Sequence, residues 1–399
     1  MRAATRRCIT EQDRRRTGAA PWRDGSGSMA RKGSRAPMRY ASVAGALARW
    51  GFRRRRPASP QRILVLHHLL LGDTLMLTAL LAKLRCRHPR ATIVMTVAPA
   101  LAGLYEGRPY GVIAQPFDPR DYDGFRALRA MPRFDLAILP ADNRYTWLAR
   151  AIGARWIVAL AGDRPAHKNW PADELVPYSV APTAFCDTAA ELVDGPDPPP
   201  YATAHWPAPP ERERVPVPSR HAVLHVGASS PLKQWPASRW RSLADALAAD
   251  GLDIVWSAGP GEDAALAAIE ARAGELRIAG TLSLAGLWHL LAGAALVVCP
   301  DTGVAHLGRI VGAPVVTLFG PGSALMCGPG RFFAAMPGRA VTVDPFPCRD
   351  QHIQFFREVP WARRCERLFG APPQRCPQAR CMEAIDVAAV LAAAREIAR

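Results

Sequence analysis

The chain has 399 residues, 49% of them apolar, and a formal net charge of +17. That length exceeds one ordinary core and predicts two domains of about 150 to 200 residues. No stretch reaches the ~18 apolar residues of a membrane-spanning helix, and the basic opening lacks the apolar run of a secretory signal. Nine scattered cysteines fit reduced thiols, so a cytoplasmic protein is expected.

The charge is not spread evenly. Residues 1–60 hold 16 Arg or Lys against three acids, which leaves only four net positive charges for the remaining 339. The body is therefore no nucleic-acid binder. Residues 1–37, rich in Arg, Gly and Ser, read as a disordered leader. Between 38 and 56, Tyr40, Val43, Leu47, Trp50 and Phe52 precede Arg53-Arg54-Arg55-Arg56. This is either an amphipathic helix whose arginines meet anionic lipid, or a solvated basic leader.

From residue 61 to 195 the expected elements alternate. Strands fall at Arg62–Leu66, Ala91–Val97, Gly111–Ala114 and Asp135–Leu139; helices fall at Leu69–Arg87, Phe125–Met131 and Tyr145–Ile152. Gly72-Asp73 lies in the first strand-to-helix loop, where Asp73 is either a general base or a helix cap. Asp121-Tyr122-Asp123 has the outline of a metal motif but no third ligand nearby, so no metal site is assigned. Residues 196–219 are proline-rich and read as an interdomain linker.

The alternation restarts over 220–399. Strands are expected at His221–Val226, Leu252–Ser257, Leu276–Ile278, Ala294–Val298 and Gly312–Phe319; helices are expected at Pro236–Ala249, 262–273, Ser283–Ala292 and Val387–Ala398. Two doubly wound α/β halves follow, with ligand at the carboxyl ends of the strands. Neither half carries a dinucleotide G-x-G-x-x-G, a P-loop or a G-x-S-x-G elbow.

Three strand-end loops of the second half carry candidate chemistry. Lys233 follows the first strand, in a chain with four lysines against 47 arginines, and suits a compact contact to phosphate; Ser229 can donate beside it. Either reading of Lys233, ligand contact or exposed lysine, stays open. Glu262 stands at the next corner, able to accept from ribose hydroxyls or to serve as an ordinary N-terminal acid. Asp301-Thr302-Gly303, with His306 one turn on, sits where a strand gives way to a helix, a place suited to an anion. The alternative there is an Asp cap with a packed histidine. Cys348, Cys365, Cys376 and Cys381 crowd the last fifty residues without C-x₂-C spacing, so reduced thiols are expected ahead of a zinc site.

Several of these segments together resemble glycosyltransferase family 9, the ADP-heptose:lipopolysaccharide heptosyltransferases. They are Leu71-Gly72-Asp73-Thr74-Leu75, Phe134-Asp135-Leu136-Ala137-Ile138, Lys233-Gln234-Trp235-Pro236, Pro300-Asp301-Thr302-Gly303 with His306-Leu307, and Gly320-Pro321. Cys381-Met382 also fits, and the resemblance covers most of residues 61–385. It implies a GT-B fold, two Rossmann-like domains facing a cleft, and inverting, metal-independent transfer with no cofactor. Asp73 would be the catalytic base. Ser229 and Lys233 would contact the donor's diphosphate, Glu262 its ribose, the backbone at Leu282 its base, and Asp301, Thr302, Gly303 and His306 its diphosphate and sugar. The implied partners are a nucleotide-sugar donor, ADP-heptose first, and a lipid-linked glycan acceptor at the inner face of the inner membrane. His67-His68-Leu69-Leu70 departs from the small or polar residues the family usually places before Gly-Asp. A sugar-nucleotide epimerase and a non-catalytic sugar-nucleotide-binding membrane scaffold are the alternatives.

Overall fold

The computed structural model describes residues 34–51, 54–213, 215–370 and 375–398. The leader's first 33 residues, and Phe52 and Arg53, lie outside the described residues. Among those described, no helix is long and apolar enough to cross a membrane.

The first helix among the described residues is α1 (Ala36–Leu47), shorter than the helix expected over 38–56. Met38, Ser42 and Ala46 are buried, and Gly45 brings the helix against Ala151 of a later helix, so this face joins the first domain. Tyr40 and Leu47 point outward, 74% and 57% exposed. Two of the expected lipid-facing arginines instead meet acids of the same fold: Arg54 pairs with Asp173 at 3.3 Å, and Arg56 with Asp194 at 2.6 Å.

The first half runs β1 (Arg62–Val65), α2 (Leu71–Met76), α3 (Thr78–Arg87), β2 (Thr92–Val97), β3 (Val112–Pro116), α4 (Tyr122–Ala130), β4 (Leu136–Leu139), α5 (Thr146–Ala151), β5 (Trp156–Leu160), β6 (Glu174–Val176) and α6 (Phe185–Ala190). The single helix expected over Leu69–Arg87 is broken at Leu77. Thr78 Oγ1 donates to Leu75 O at 2.6 Å, a side-chain bond that competes with the helical ladder and bends it. Asp121, the first half of the metal-like motif, caps α4 by accepting from the N–H of Asp123.

The second half runs β7 (His221–His225), α7 (Ala237–Ala249), β8 (Asp253–Ala258), α8 (Asp263–Ala267), β9 (Leu276–Ala279), α9 (Leu284–Ala292), β10 (Leu296–Pro300), α10 (Gly303–Ile310), β11 (Val315–Phe319) and β12 (Gly338–Thr342). Two small pairs follow, β13 (Ile353–Gln354) with β14 (Arg357–Glu358), and β15 (Leu368–Phe369) with β16 (Arg375–Cys376). The chain closes with α11 (Arg380–Glu383) and α12 (Val387–Ile397). The helix expected over 262–273 shrinks to α8, because the Arg277 guanidinium takes the carbonyls of Leu266 and Ile269 that a longer helix would use.

Both halves are six-stranded sheets, ordered β3-β2-β1-β4-β5-β6 and β12-β11-β10-β7-β8-β9, and every pairing within them is parallel. Read from their own first strands, the two orders are the same: 3-2-1-4-5-6. The fold is therefore two Rossmann-like domains of GT-B type. In each, the order reverses beside the first strand, and the crevice at that point is where such sheets take ligand.

The cores follow the strand period of two. Ile63 and Val65 face one cluster, Leu64 and Leu66 the opposite one; Val223 and Val255 likewise part from Leu224 and Trp256. The first cluster runs through both halves, from Leu84 to Leu287 and Val304, so the two sheets share a continuous apolar layer. The proline-rich passage is pinned as it crosses. Tyr201 donates to Ile310 O at 2.7 Å, and the Trp206 indole donates to Leu104 O at 3.1 Å.

Candidate active site

The two switch points meet through glycines. The helices α2 and α10 approach so closely that a Cβ on Gly303 would sit 2.7–2.9 Å from three side-chain atoms of Leu71, and one on Gly72 2.8 Å from His306 Cδ2. No larger residue fits at this contact. It draws Asp73, which follows β1, toward Lys233, which follows β7, and Asp301, which follows β10.

Neither aspartate caps its helix. Leu70 is the N-cap of α2 and Thr302 that of α10. Asp301 is buried and accepts from Lys233: Nζ lies 3.0 Å from Asp301 Oδ2 and 2.6 Å from Asp301 O. Burial works against the charge on both, yet each supports the other. The Lys233 ammonium holds the Asp301 carboxyl below the usual carboxylate range, and Asp301 lifts the Lys233 ammonium above its ordinary value.

Asp73 is different. Burial pushes it up to about 6, and the nearby charge of Asp301 adds to this, while Arg364 and Lys233 pull it back. It is a carboxylate poised close to neutrality, as a general base needs to be. His306 is pushed down to about 3 by burial and by Arg309, so it is neutral. Arg309 Nη1 stands 3.3 Å from His306 Nδ1. That contact makes Nδ1 the acceptor and leaves Nε2–H as a donor on the side of Gly72.

Thr302 Oγ1 is buried and makes no hydrogen bond to the described residues. With the free N–H groups at the start of α10, it forms a polar floor suited to an anion. Glu262 turns its carboxylate back to the Gly259 N–H at 2.8 Å, and burial raises its pKa. Leu282 lines a small pocket with His225, Ser257, Ala258, Ile278 and Leu287. Ser229 is exposed in the loop after β7. Asp73, Lys233, Asp301, Thr302, Gly303 and His306 thus share one place; Glu262 and Leu282 flank β8, the strand beside β7.

Sequence reasoning missed Arg309, Cys327 and Arg364. Cys327 is a half-buried residue whose thiol pKa is raised by desolvation and by the nearby charges of Asp301 and Asp73. Arg309 recurs one turn after His306 on α10, a spacing that could have flagged it. His67, part of the departure from the family pattern, is tied into the fold: its ring Nδ1 accepts from the Leu69 N–H at 3.2 Å, and its backbone N–H donates to Thr96 Oγ1 at 2.8 Å. The eight cysteines among the described residues are free thiols, and no group of three His, Cys, Asp or Glu among those residues is arranged to hold a metal ion.

The model of the family "Glycosyltransferase family 9 (heptosyltransferase)" matches residues 126–331, just over half of the chain. Lipopolysaccharide heptosyltransferase 1 of Escherichia coli K12 is 37% identical over 103 residues, 25% of this chain and 32% of that protein. Its namesake from Pseudomonas aeruginosa is 34% identical over 108 residues, 25% and 29% of the two chains. The match thus spans about a third of the length of these relatives. The solved E. coli heptosyltransferase WaaC with ADP superposes with a TM-score of 0.59 at 20% identity, covering 70% of this chain and 93% of that one. E. coli ADP-heptose LPS heptosyltransferase II gives 0.59 at 18%, covering 84% and 98%. These two share the fold.

Proposed function

Because the chain belongs to glycosyltransferase family 9, we propose that it transfers a sugar, heptose from ADP-heptose in the first instance, to a hydroxyl of a lipopolysaccharide core or related glycan. In this reading residues 61–195 hold the acceptor and residues 220–399 the donor. The observation that carries it is the meeting of Asp73 with the Lys233–Asp301 pair across the contact of α2 and α10.

The chemistry follows from those groups. The Asp73 carboxylate takes the proton of the acceptor hydroxyl as its oxygen bonds to the anomeric carbon. On the opposite face, the bond from that carbon to the diphosphate oxygen breaks, and its electron pair leaves with the diphosphate. Configuration inverts, and no metal is assigned a role. Lys233, Thr302 Oγ1 and the N–H groups opening α10 meet the charge that grows on the leaving group, which is where stabilisation lowers the barrier. Neutral His306 offers its Nε2–H to the same region. Ser229 completes the diphosphate contacts, Glu262 accepts from the ribose, and the backbone at Leu282 meets the base. The relative solved with ADP is consistent with an adenine nucleotide as donor. A cytoplasmic position on the inner face of the membrane would bring the exposed Tyr40 and Leu47 of α1, with Arg55, toward anionic lipid.

The test is calorimetric titration with ADP, UDP, GDP and CDP, repeated for the best ligand on Asp301→Ala. Tightest binding of ADP, weakened in the variant, supports the donor. A preference for another nucleotide discards heptose from ADP-heptose, and binding of none discards the transferase.

A further inference from the structure

We propose that Arg364 is a diphosphate-binding residue of this cleft, delivered by the irregular segment that follows β12; the inference rests on the donor reading given above. Three anchors place it. The N–H of the next residue, Cys365, donates to Pro321 O at 2.8 Å, and the neighbouring Gly322 lies against Asp301 Oδ2. On its other side, Gln351 N–H donates to Arg364 O at 3.1 Å within an isolated antiparallel bridge. Four residues on, β15 packs against the Pro231–Lys233 turn. Arg364 is therefore held between the loop of Asp301 and the turn of Lys233, where its charge is felt by Asp73, Lys233 and Asp301 alike.

Charge balance gives it a task. Lys233 is the cation that sequence reasoning assigns to the diphosphate, but it already neutralises Asp301, whose side chain is only 8% exposed. His306 is neutral. A diphosphate arriving with two negative charges therefore needs a cation that can change partners cheaply. Arg364 meets Glu366 through one contact of 3.2 Å, with the two side chains 32% and 33% exposed. An ion pair so open to water contributes little, so exchanging the carboxylate for phosphate oxygens costs little. A guanidinium also matches two phosphate oxygens at once, which Lys233 cannot do.

The experiment is titration of the full chain, wild type and Arg364→Ala, with ADP, inorganic pyrophosphate and adenosine. We expect Arg364→Ala to weaken ADP and pyrophosphate at least about tenfold, the scale of a charged hydrogen bond lost, and to leave adenosine unchanged. Arg364→Lys, which keeps the charge but loses the fork that spans two oxygens, should weaken both diphosphates severalfold; it decides the matter if Arg364→Ala does not fold, unchanged affinity there overturning the proposal. Diphosphate affinity unchanged in Arg364→Ala overturns the role of Arg364 and leaves the donor reading standing. A wild-type protein that binds neither ADP nor pyrophosphate overturns the donor reading, and this inference with it.

Discussion

Asp73 should be a site that the fold holds at a cost, and Asp73→Asn should reveal that cost. Its carboxyl sits at about 6 against an ordinary 3.8, raised first by burial. At 1.36 kcal/mol per pH unit, that difference corresponds to about 3 kcal/mol as a ceiling; partial exposure and the isosteric amide reduce the expected gain to about 1–2 kcal/mol. The sign follows from which state holds the proton more tightly. The folded state does, so the penalty is full above pH 6, about half remains near pH 5, and it fades below 4. Asp73→Asn should therefore stabilise the protein at pH 8, and the gain should shrink as the pH falls, while sugar transfer is lost throughout. Urea unfolding of both proteins at pH 8, 6 and 4.5 reads this directly. A variant no more stable than wild type at pH 8, or a gain that does not decline with pH, refutes the reasoning.

Further expectations concern the same cleft and its supports. Transfer should show an acid limb in kcat/KM near pH 6, and Arg364→Gln should move it to higher pH, since Arg364 holds Asp73 down; an unmoved limb in the pH–rate profile contradicts this. Gly303→Ala drives a methyl into Leu71 and should cost about 1–3 kcal/mol with at least about a tenfold loss of kcat/KM. Recovery in the double variant with Leu71→Ala, followed by melting and initial rates, checks that the cause is the clash. Arg357→Ala should destabilise by about 3 kcal/mol in urea, because it strips a buried cation from Asp163 and takes the side-chain donor from Ala161 O, while Leu160 O keeps Asn143 Nδ2. Glu262→Gln should weaken ADP but spare pyrophosphate in calorimetry, since its proposed partner is the ribose.

What the sequence revealed follows the strength of each local signal. Buried parallel strands such as β1, β7 and β10 are short apolar runs closed by breakers, and the two such series disclose two doubly wound halves. Asp301-Thr302-Gly303 could be placed because β10 and β11 frame it so clearly. The edge strands β6 and β12 went unseen, since Glu174–Val176 and Gly338–Thr342 keep exposed or half-exposed side chains and so carry little apolar pattern, whereas β5 (Trp156–Leu160) was passed over although its apolar, buried run is as clear as that of β1. The tight turn between β13 and β14 was equally silent. Phe355 and Phe356 both adopt positive φ, 45° and 65°, where Asn-Gly would have announced it. Arg364 was hidden for a related reason. It lies in a segment without period, and only the fold shows that its backbone is fastened beside Asp301.

The hairpin of β13 and β14 also decides what can be exchanged between members of such a family. Though it follows the second sheet in the chain, its Arg357, 1% exposed, is embedded in the first half: it donates to Ala161 O, Leu160 O and Asn143 Oδ1 at 2.8–3.1 Å and faces Asp163 at 3.6 Å. Tyr178 and Gln354 join the same seam. The modular unit is therefore discontinuous. A chimera that grafts another acceptor half at the proline-rich crossing would leave a foreign plug in the β5 socket; a workable swap must carry residues 353–358 along with the first 195.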